Sequence, residues 1–337
     1  MNLLAYLKKN PFVLAPMAGI TDCAFRSFMR ELGAGIVITE LVSATGLKHL
    51  SARTRKLMQF DGIQHPVGVQ LFGGDISDLV MAAKEVEQMG ADFVDLNFGC
   101  PVPKVVKRGA GSAALRDLIF LRDVLRAVKK AVKIPATIKI RTGWDEKTRN
   151  THEVAQIAYD EGITWVAIHG RTRAQGYAGQ ADWDYIREVK TKASVPILGN
   201  GDIVTAIRAN QRLQESGCDG AMIGRGCLKN PWIFKESNIL FSENIEMKFN
   251  KNFSLLFDLL QSHLVKSHDL RMTALQTKKL AAWYSAGYPD SAQFRKNIFT
   301  LSDLAEVTNL AKDYFQQISC TVQHDTSSEP FLMGGHG

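Results

Sequence analysis

Residues 195–226 read VPILGNGDIVTAIRANQRLQESGCDGAMIGRG: a short apolar run, an amphipathic segment and a second short apolar run. The runs at 195–198 and 220–223 are typical of parallel strands that are buried on both faces. Residues 203–216 between them predict a helix, and Gly217 is the residue type that often follows a helix end. The stretch therefore predicts one strand–helix–strand unit.

The same alternation recurs along most of the chain. Strand-like runs occur at residues 12–15, 35–39, 66–72, 93–97, 136–141, 165–169, 195–198 and 220–223. Helix-like segments lie between them at residues 22–32, 76–89, 117–132, 152–160, 183–192 and 203–216. Eight such strands in about 230 residues predict an α/β fold of the (β/α)8 TIM-barrel type. A doubly wound sheet is the competing architecture, but it usually carries G-x-G-x-x-G after its first strand, where this chain has Pro16-Met17-Ala18-Gly19.

The pattern changes after residue 241. Residues 253–269, 274–285, 292–299 and 302–318 predict four helices, and strand signals are missing from this part of the sequence. We therefore expect a small all-helical C-terminal domain, with a boundary near residues 242–250. Residues 321–337 have no periodicity and are expected to form a disordered tail.

Positive charge concentrates in the predicted helical domain. The whole chain has 41 basic and 34 acidic residues, a net charge of +7. Residues 247–300 hold eight basic and three acidic residues, a net charge of 8 − 3 = +5: Lys248, Lys251, Lys266, Arg271, Lys278, Lys279, Arg295 and Lys296 against Asp258, Asp269 and Asp290. This is the sign of charge that attracts phosphate polymers.

Several classes of protein are disfavoured by composition. The five cysteines (Cys23, Cys100, Cys218, Cys227 and Cys320) are odd in number, scattered and without a C-x-x-C pair, which argues against a disulfide framework and against a zinc site. No apolar run approaches the length of a membrane span, and the N-terminus does not read as a secretory signal. We expect a cytoplasmic enzyme without a bound metal, without an obligate protein partner and monomeric.

Polar and reactive residues gather where the predicted strands end, which is the end of a TIM barrel that carries the active site. These residues are Gln70, Asn97, Cys100, Lys139, Arg141, His169, Arg171, Asn200, Asp202 and Arg225. Glycine-rich turns follow the last two strands, at residues 199–202 and 224–226. Loops at these positions commonly bind a phosphate, since glycine lets backbone N–H groups approach an anion; the alternative is that they are only tight turns.

Three of these residues each allow two interpretations. Lys139 lies in a run suited to burial and needs an anionic or carbonyl partner, either a ligand or a structural ion pair. Cys100 is either a proton donor on a mobile basic loop or a small, partly buried filler. His169 is either a satisfied core histidine or, beside two arginines, a ligand contact.

The chain resembles the tRNA-dihydrouridine synthases, most closely the bacterial B-type enzymes. The stretches that carry the resemblance are residues 15–22 (APMAGITD), 97–101 (NFGCP), 139–144 (KIRTGW), 169–173 (HGRTR), 199–202 (GNGD) and 222–226 (MIGRG). The match runs from about residue 11 to 234, and a weaker one continues through residues 278–279, 283–284 and 294–295.

The resemblance implies a flavoenzyme that uses NADPH to reduce the C5=C6 bond of uridines in tRNA to 5,6-dihydrouridine, in the D-loop. Reduced FMN would pass hydride from N5 to C6, and Cys100 would protonate C5. Residues 1–242 would form the FMN-binding barrel and residues 243–320 the tRNA-binding helices. FMN would be held by Pro16, Met17, Ala18, Gln70, Lys139, His169, Asn200, Gly201, Asp202, Gly224 and Arg225. Asn97, Arg141, Arg171, Lys278 and Lys279 are the predicted substrate contacts.

Two other functions remain open from the sequence. One is an FMN-barrel reductase of a free pyrimidine or another small metabolite, with the C-terminal helices serving dimerisation. Activity on free uracil derivatives without tRNA would favour it. The other is a non-catalytic RNA-binding barrel, which would be purified without flavin.

Overall fold

A closed parallel β-barrel organises the chain, as seen in a computed structural model that describes residues 2–246 and 251–319. Its strands are β1 (Phe12–Leu14), β2 (Ile36–Ile38), β3 (Val42–Ser43), β4 (Val67–Phe72), β5 (Phe93–Phe98), β6 (Ala136–Arg141), β7 (Val166–His169), β8 (Ile197–Asn200) and β9 (Gly220–Ile223). Pairing of β1 with β9 and of β2 with β4 closes eight of them into the barrel. The eight predicted strand runs are confirmed, and the two-residue β3, which pairs only with the end of β4, was not predicted.

Helices surround the barrel and continue beyond it. The described helices are α1 (Leu3–Lys9), α2 (Cys23–Glu31), α3 (Ala44–Lys48), α4 (Ala52–Met58), α5 (Ile76–Gln88), α6 (Pro103–Val106), α7 (Leu118–Ala131), α8 (Thr151–Asp160), α9 (Trp183–Lys192), α10 (Ala206–Ser216), α11 (Ile233–Glu243), α12 (Phe253–Ser267), α13 (Leu270–Tyr284), α14 (Ser291–Thr300) and α15 (Leu304–Ser319). The six predicted barrel helices and the four predicted C-terminal helices are among them. The architecture is a TIM barrel followed by a helical region.

Apolar side chains fill the barrel interior near the N-terminal ends of the strands. Leu3 and Leu7 of α1 pack into a cluster with Phe93 and Trp165, whose rings meet edge to face at 5.1 Å. Gly68 of β4 makes room for this pair, since a Cβ there would lie 2.2 Å from the Phe93 ring. The N-terminal end of the barrel is therefore closed, and the polar side chains that line a cleft stand towards the carboxyl ends of the strands.

The C-terminal helices α12–α15 pack on the barrel at α2. His263 of α12 lies 2.9 Å from Glu31, and His268 lies 2.9 Å from Asp22, the N-cap of α2. The predicted boundary near residues 242–250 falls between α11 and α12, but the division into domains stays a prediction. Residues 247–250, which include Lys248, and residues 320–337, which include Cys320 and the predicted tail, lie outside the described residues.

Across residues 2–246 and 251–319, the helices are too short or too polar to cross a membrane. In the same part of the chain we find no group of three His, Cys, Asp or Glu side chains arranged to hold a metal ion.

Candidate functional site

A cleft opens at the carboxyl ends of the strands and holds about 590 Å³ between its walls, part of it open to solvent. Its polar wall comes from adjacent strands: Lys139 stands on β6, His169 on the neighbouring β7, and Asn200 pairs in register with His169 from β8. The residues that line it are Ala15, Pro16, Met17, Lys139, His169, Tyr177, Asn200, Gly201, Asp202, Ile203, Val204, Met222, Gly224, Arg225 and Gly226. Most of the predicted cofactor residues thus meet in one place, while Ala18 is exposed on the loop after β1 and Gln70 is buried below the cleft.

Lys139 projects from β6 into the floor of the cleft. Its Nζ donates to Oδ1 of Asn200 at 3.1 Å, and Nδ2 of Asn200 donates to the carbonyl of Met222 at 2.7 Å. Burial, reinforced by the nearby Arg141, lowers the pKa of Lys139 to about 8. The structural ion pair that the sequence left open is not found among the described residues: the bonded partner of Lys139 is the amide of Asn200 and not a carboxylate.

His169 stands at the end of β7 among cations. Burial and the neighbouring Arg141, Lys139, Arg171 and Arg225 lower the pKa of His169 well below its ordinary value. Its imidazole is therefore neutral at physiological pH. Its Nε2 lies 3.3 Å from Nη1 of Arg171 and acts as the acceptor there, because an arginine can only donate.

The loop after β8 is held by a buried arginine. Arg171 donates to both carboxylate oxygens of Asp202 at 2.9 Å and to the carbonyls of Ala178 and Gly179. Gly201 beside it has a φ of +130°, and a Cβ there would lie 2.5 Å from Cβ of Ala181. Glycine at 201 therefore lets this loop pass close to its neighbour, at the position predicted to bind phosphate.

Tyr177 links the cations of the upper cleft. The guanidinium carbon of Arg225 lies 4.5 Å from the centre of its ring, and that of Arg141 lies 5.6 Å away. Arg141 also donates to the carbonyls of Gly99, Thr172 and Gly176. Arg141 and Arg171, predicted as substrate contacts, are thus both buried and bonded to loop backbone. Their direct contact with substrate stays a prediction.

Cys100 lies beside the cleft, on the loop after β5. Its carbonyl accepts from the backbone N–H and the hydroxyl of Ser112. The preceding residue, Gly99, is bonded to Arg141 of β6 at 3.0 Å, which keeps this loop at the barrel mouth. Burial raises the pKa of the Cys100 thiol above its ordinary value, with Arg141 and Lys139 acting in the opposite direction. The thiol is therefore protonated at neutral pH.

The predicted contacts in the helical region are tied to the protein. Lys278 donates to the carbonyl of Leu301 at 2.7 Å. Lys279 donates to the carbonyl of Gly19, on the loop after β1, and its Nζ lies 4.8 Å from the centre of the Trp283 ring. Lys279 therefore joins the helical region to the barrel mouth, and the role of both lysines in RNA binding stays a prediction.

Two residues of this region were not predicted from the sequence. Tyr177 sits in a loop without a motif of its own, and only its place after the His169 strand could have singled it out. Asp95 lies in the apolar run of β5 and is completely buried. A carboxylate in such a run is itself a signal, because burial without partners is costly.

Comparisons with known proteins agree with this architecture. A family model described as dihydrouridine synthase (Dus) matches residues 13–319. A probable tRNA-dihydrouridine synthase of Rickettsia prowazekii (strain Madrid E) is 37% identical over 313 residues, which cover 91% of this chain and 94% of that protein. The tRNA-dihydrouridine synthase B of Pseudomonas syringae pv. tomato is 38% identical over 315 residues, covering 93% of each. The solved histamine dehydrogenase from Rhizobium sp. 4-9 superposes on 94% of this chain and 63% of that chain with a TM-score of 0.54 at 13% identity, a likeness of fold alone.

Proposed function

This chain belongs to the dihydrouridine synthase family, and from that premise we propose that it reduces uridine in tRNA to 5,6-dihydrouridine with FMN bound in the cleft and NADPH as the reductant. The observation that carries the proposal is the cleft itself. It joins a half-buried lysine whose bonded partner is an amide, a neutral histidine and two glycine turns next to a protonated thiol.

The residues of the cleft fit a flavin mononucleotide. A phosphate suits the turns at Gly201 and Gly224, where backbone can approach closely and Arg225 supplies positive charge. The charge of Lys139, whose bonded partner is the neutral amide of Asn200, suits the electron-rich edge of an isoalloxazine ring. The neutral His169 can accept or donate a hydrogen bond without adding to the positive charge of the wall.

FMN bound here would supply the hydride for carbon C6 of uracil, after NADPH has reduced it. Lys139 would stabilise negative charge at the cleft floor, and Asn200 would hold its ammonium in place. Cys100 would give its proton to C5, since a thiol with a raised pKa carries that proton at neutral pH. The thiolate left behind regains a proton from solvent before the next turnover.

The substrate base has to leave the RNA stack, because the polar floor lies inside the barrel. We propose that RNA backbone is held on two sides of the mouth. One side is the helical region α12–α15, which packs on α2; α2 itself connects β1 and β2. The opposite side of the eight-stranded ring is the gap between β6 and β7, where an arginine–tryptophan–arginine stack lies: Arg116 and Arg173 have their guanidinium carbons 4.8 and 4.4 Å from the Trp144 ring.

Further exposed cations lie between Cys100 and Arg116 along the chain. Lys104 of α6 is exposed, and so are Lys107 and Arg108, which follow this helix. Nearby carboxylates are already occupied, since Asp145 caps its own turn and Glu146 pairs with Arg149 at 2.7 Å. This side of the barrel mouth, called the rim below, therefore favours binding of phosphate. We also propose that the protein is cytoplasmic and binds tRNA as a monomer.

The test is reduction of defined substrates by the purified protein. Unmodified tRNA with NADPH should gain dihydrouridine, and free uridine should not. Mapping of dihydrouridine in tRNA from cells lacking the protein would then identify the position, which we propose lies in the D-loop. Turnover of free pyrimidines in the absence of RNA, or purification without flavin, would contradict the proposal.

A further inference from the structure

Asp95 is a completely buried carboxylate beneath the cleft. It stands in register with Gln70 on β4 and with Thr137 on β6. Its Oδ1 accepts from the hydroxyl of Thr137 and its Oδ2 from Nε2 of Gln70, both at 2.6 Å. Both carboxylate oxygens therefore have a donor inside the barrel.

A chain of hydrogen bonds leads from Asp95 to the cysteine loop. Oε1 of Gln70 accepts from Nδ2 of Asn97 at 2.8 Å. Oδ1 of Asn97 accepts from the backbone N–H of Cys100 at 2.8 Å and from that of Gly99 at 3.2 Å. Two buried amide side chains, those of Gln70 and Asn97, thus connect the Asp95 carboxylate to the backbone that carries the thiol.

The direction of this chain is forced by its first member. A carboxylate only accepts hydrogen bonds, so Gln70 has to turn its NH2 group towards Asp95 and its oxygen towards Asn97. Asn97 then turns its own NH2 towards Gln70, which leaves its oxygen for the two loop N–H groups. If either amide were reversed, a donor would face a donor in a buried site, and the loop would be held less tightly.

We propose that Asp95 is a positioning residue, which fixes both amides and thereby holds the Cys100 loop at the cleft. The inference rests on the proposed function only in that Cys100 is the proton donor there. Among the described residues, Asp95 has no ion pair with Lys139 within 4 Å, and Nζ of Lys139 donates to Asn200 instead. The charge of Asp95 still acts on Lys139 through space, raising the pKa of Lys139 against the effect of burial.

Two substitutions separate the role of Asp95 as a hydrogen-bond acceptor from the role of its negative charge. Asp95→Asn keeps an oxygen for Gln70 and turns its NH2 to Thr137, whose hydroxyl can donate instead to the carbonyl of Val94 at 3.4 Å. Asp95→Ala removes the acceptor. The matched control is Asp92→Ala. Asp92 lies just before β5, at the end of the strand away from Cys100, and it accepts from the N–H of Val67 at 2.7 Å.

The readout is the alkylation rate of Cys100, measured by mass spectrometry on its peptide with Cys23 as the internal reference. Asp95→Ala should increase that rate at least about fivefold, because the loop loses its anchor. Asp95→Asn and Asp92→Ala should stay within about twofold of the wild type. An unchanged rate in Asp95→Ala, or an equal increase in the Asn variant, would overturn the proposal.

If Asp95→Ala does not fold, Gln70→Met breaks the chain at its second link with a side chain of similar shape, and the same increase is expected. The tRNA-reduction rate of the enzyme provides a coupling test. Asn97→Ala should already release the loop, so adding Asp95→Ala to it should change kcat far less than Asp95→Ala does alone. Additive losses would show that Asp95 acts elsewhere. Since alkylation requires neither tRNA nor NADPH, a failure of the proposed reaction would be recognised separately.

Discussion

Asp202 and Arg171 form a two-pronged ion pair that joins the loop after β7 to the loop after β8. Each carboxylate oxygen of Asp202 lies 2.9 Å from one guanidinium nitrogen of Arg171. Oδ2 also accepts the backbone N–H of Ala181 at 2.7 Å. Asp202 adopts the left-handed conformation, with a φ of +51°, so this pair holds the turn next to Gly201 in an unusual backbone state.

We predict that Asp202→Ala destabilises the protein and weakens flavin binding together. The substitution leaves the buried guanidinium of Arg171 without its carboxylate, and loss of charged hydrogen bonds of this kind costs about 2–3 kcal/mol. Chemical denaturation gives the free energy of unfolding, and flavin absorbance gives the bound fraction. Asp202→Asn, which tolerates the left-handed conformation and keeps one acceptor, should lie between the wild type and Asp202→Ala.

Asp184→Ala is the control for this prediction. Asp184 pairs with Arg187 at 3.0 Å on the surface of α9, where both side chains are more than half exposed. Exposed pairs contribute about 0–1 kcal/mol, so this variant should resemble the wild type in both measurements. Equal losses in the two alanine variants would contradict a special role for the Asp202 pair.

For Cys100→Ala we expect flavin-bound protein with normal NADPH oxidation and a loss of tRNA reduction. Loss of a general acid lowers kcat by about 10²–10⁴-fold. Cys218→Ala removes another buried thiol, next to the N-terminal end of β9 and far from the cleft, and should keep its activity. Normal turnover by Cys100→Ala would remove the assignment of Cys100 as proton donor.

The barrel was predictable because its strands are continuous apolar runs of the right length. The run at 136–141 coincides with β6, and Lys139 and Arg141 stand at its carboxyl end as expected. Several short features were not predicted, among them β3, which has only two residues, and α1, whose buried Leu3 and Leu7 close the N-terminal end of the barrel. Such elements are specified by tertiary packing and leave little periodicity to detect.

Pairings between distant residues were the other limit. Asp95 and Gln70 are 25 residues apart, and only the strand register brings them together. Arg141 and Arg171 were expected at the substrate because strand ends carry function. The loop after β7 folds back over them, so that its carbonyls accept from both guanidinium groups, and contact of these arginines with substrate stays a prediction. Sequence spacing indicates the neighbourhood of these residues but not their partners.

We predict that Lys139→Met makes the flavin-free protein more stable at pH 7 and that this advantage shrinks as the pH rises. The pKa of Lys139 is about 8 in the folded protein and near its ordinary 10.5 when unfolded. Between those two values the unfolded state binds more protons, so the stability of the wild type rises with pH. Below pH 8 the full cost of the buried charge is present, on the order of 3 kcal/mol.

Denaturation of both proteins at pH 7 and pH 9.5 checks this sign. The difference between them should be larger at pH 7, and Lys130→Met, on the last turn of α7, should show no such trend. If the difference in the free energy of unfolding between the two proteins does not depend on pH, the pKa of Lys139 is not lowered in the folded protein. Lys139→Met should also lose flavin, which the same samples report by absorbance.

The rim opposite the helical region gives the last prediction. Arg116→Glu with Arg173→Glu should weaken tRNA binding and reduce the slope of log affinity against log salt by roughly one for each phosphate that the protein no longer neutralises. NADPH oxidation should be unchanged, since neither arginine lines the cleft. The same charge change at the closed end of the barrel, Lys9→Glu with Lys130→Glu, is the control for net charge and should have little effect.

Lys278→Glu with Lys279→Glu should also weaken binding, but these lysines contact Leu301 and Gly19, so their effect includes a loss of stability. The arginine pair is therefore the cleaner test: if its reversal leaves both the tRNA affinity and the salt slope at wild-type values, the Trp144 stack is structural, and RNA is held from the helical side alone.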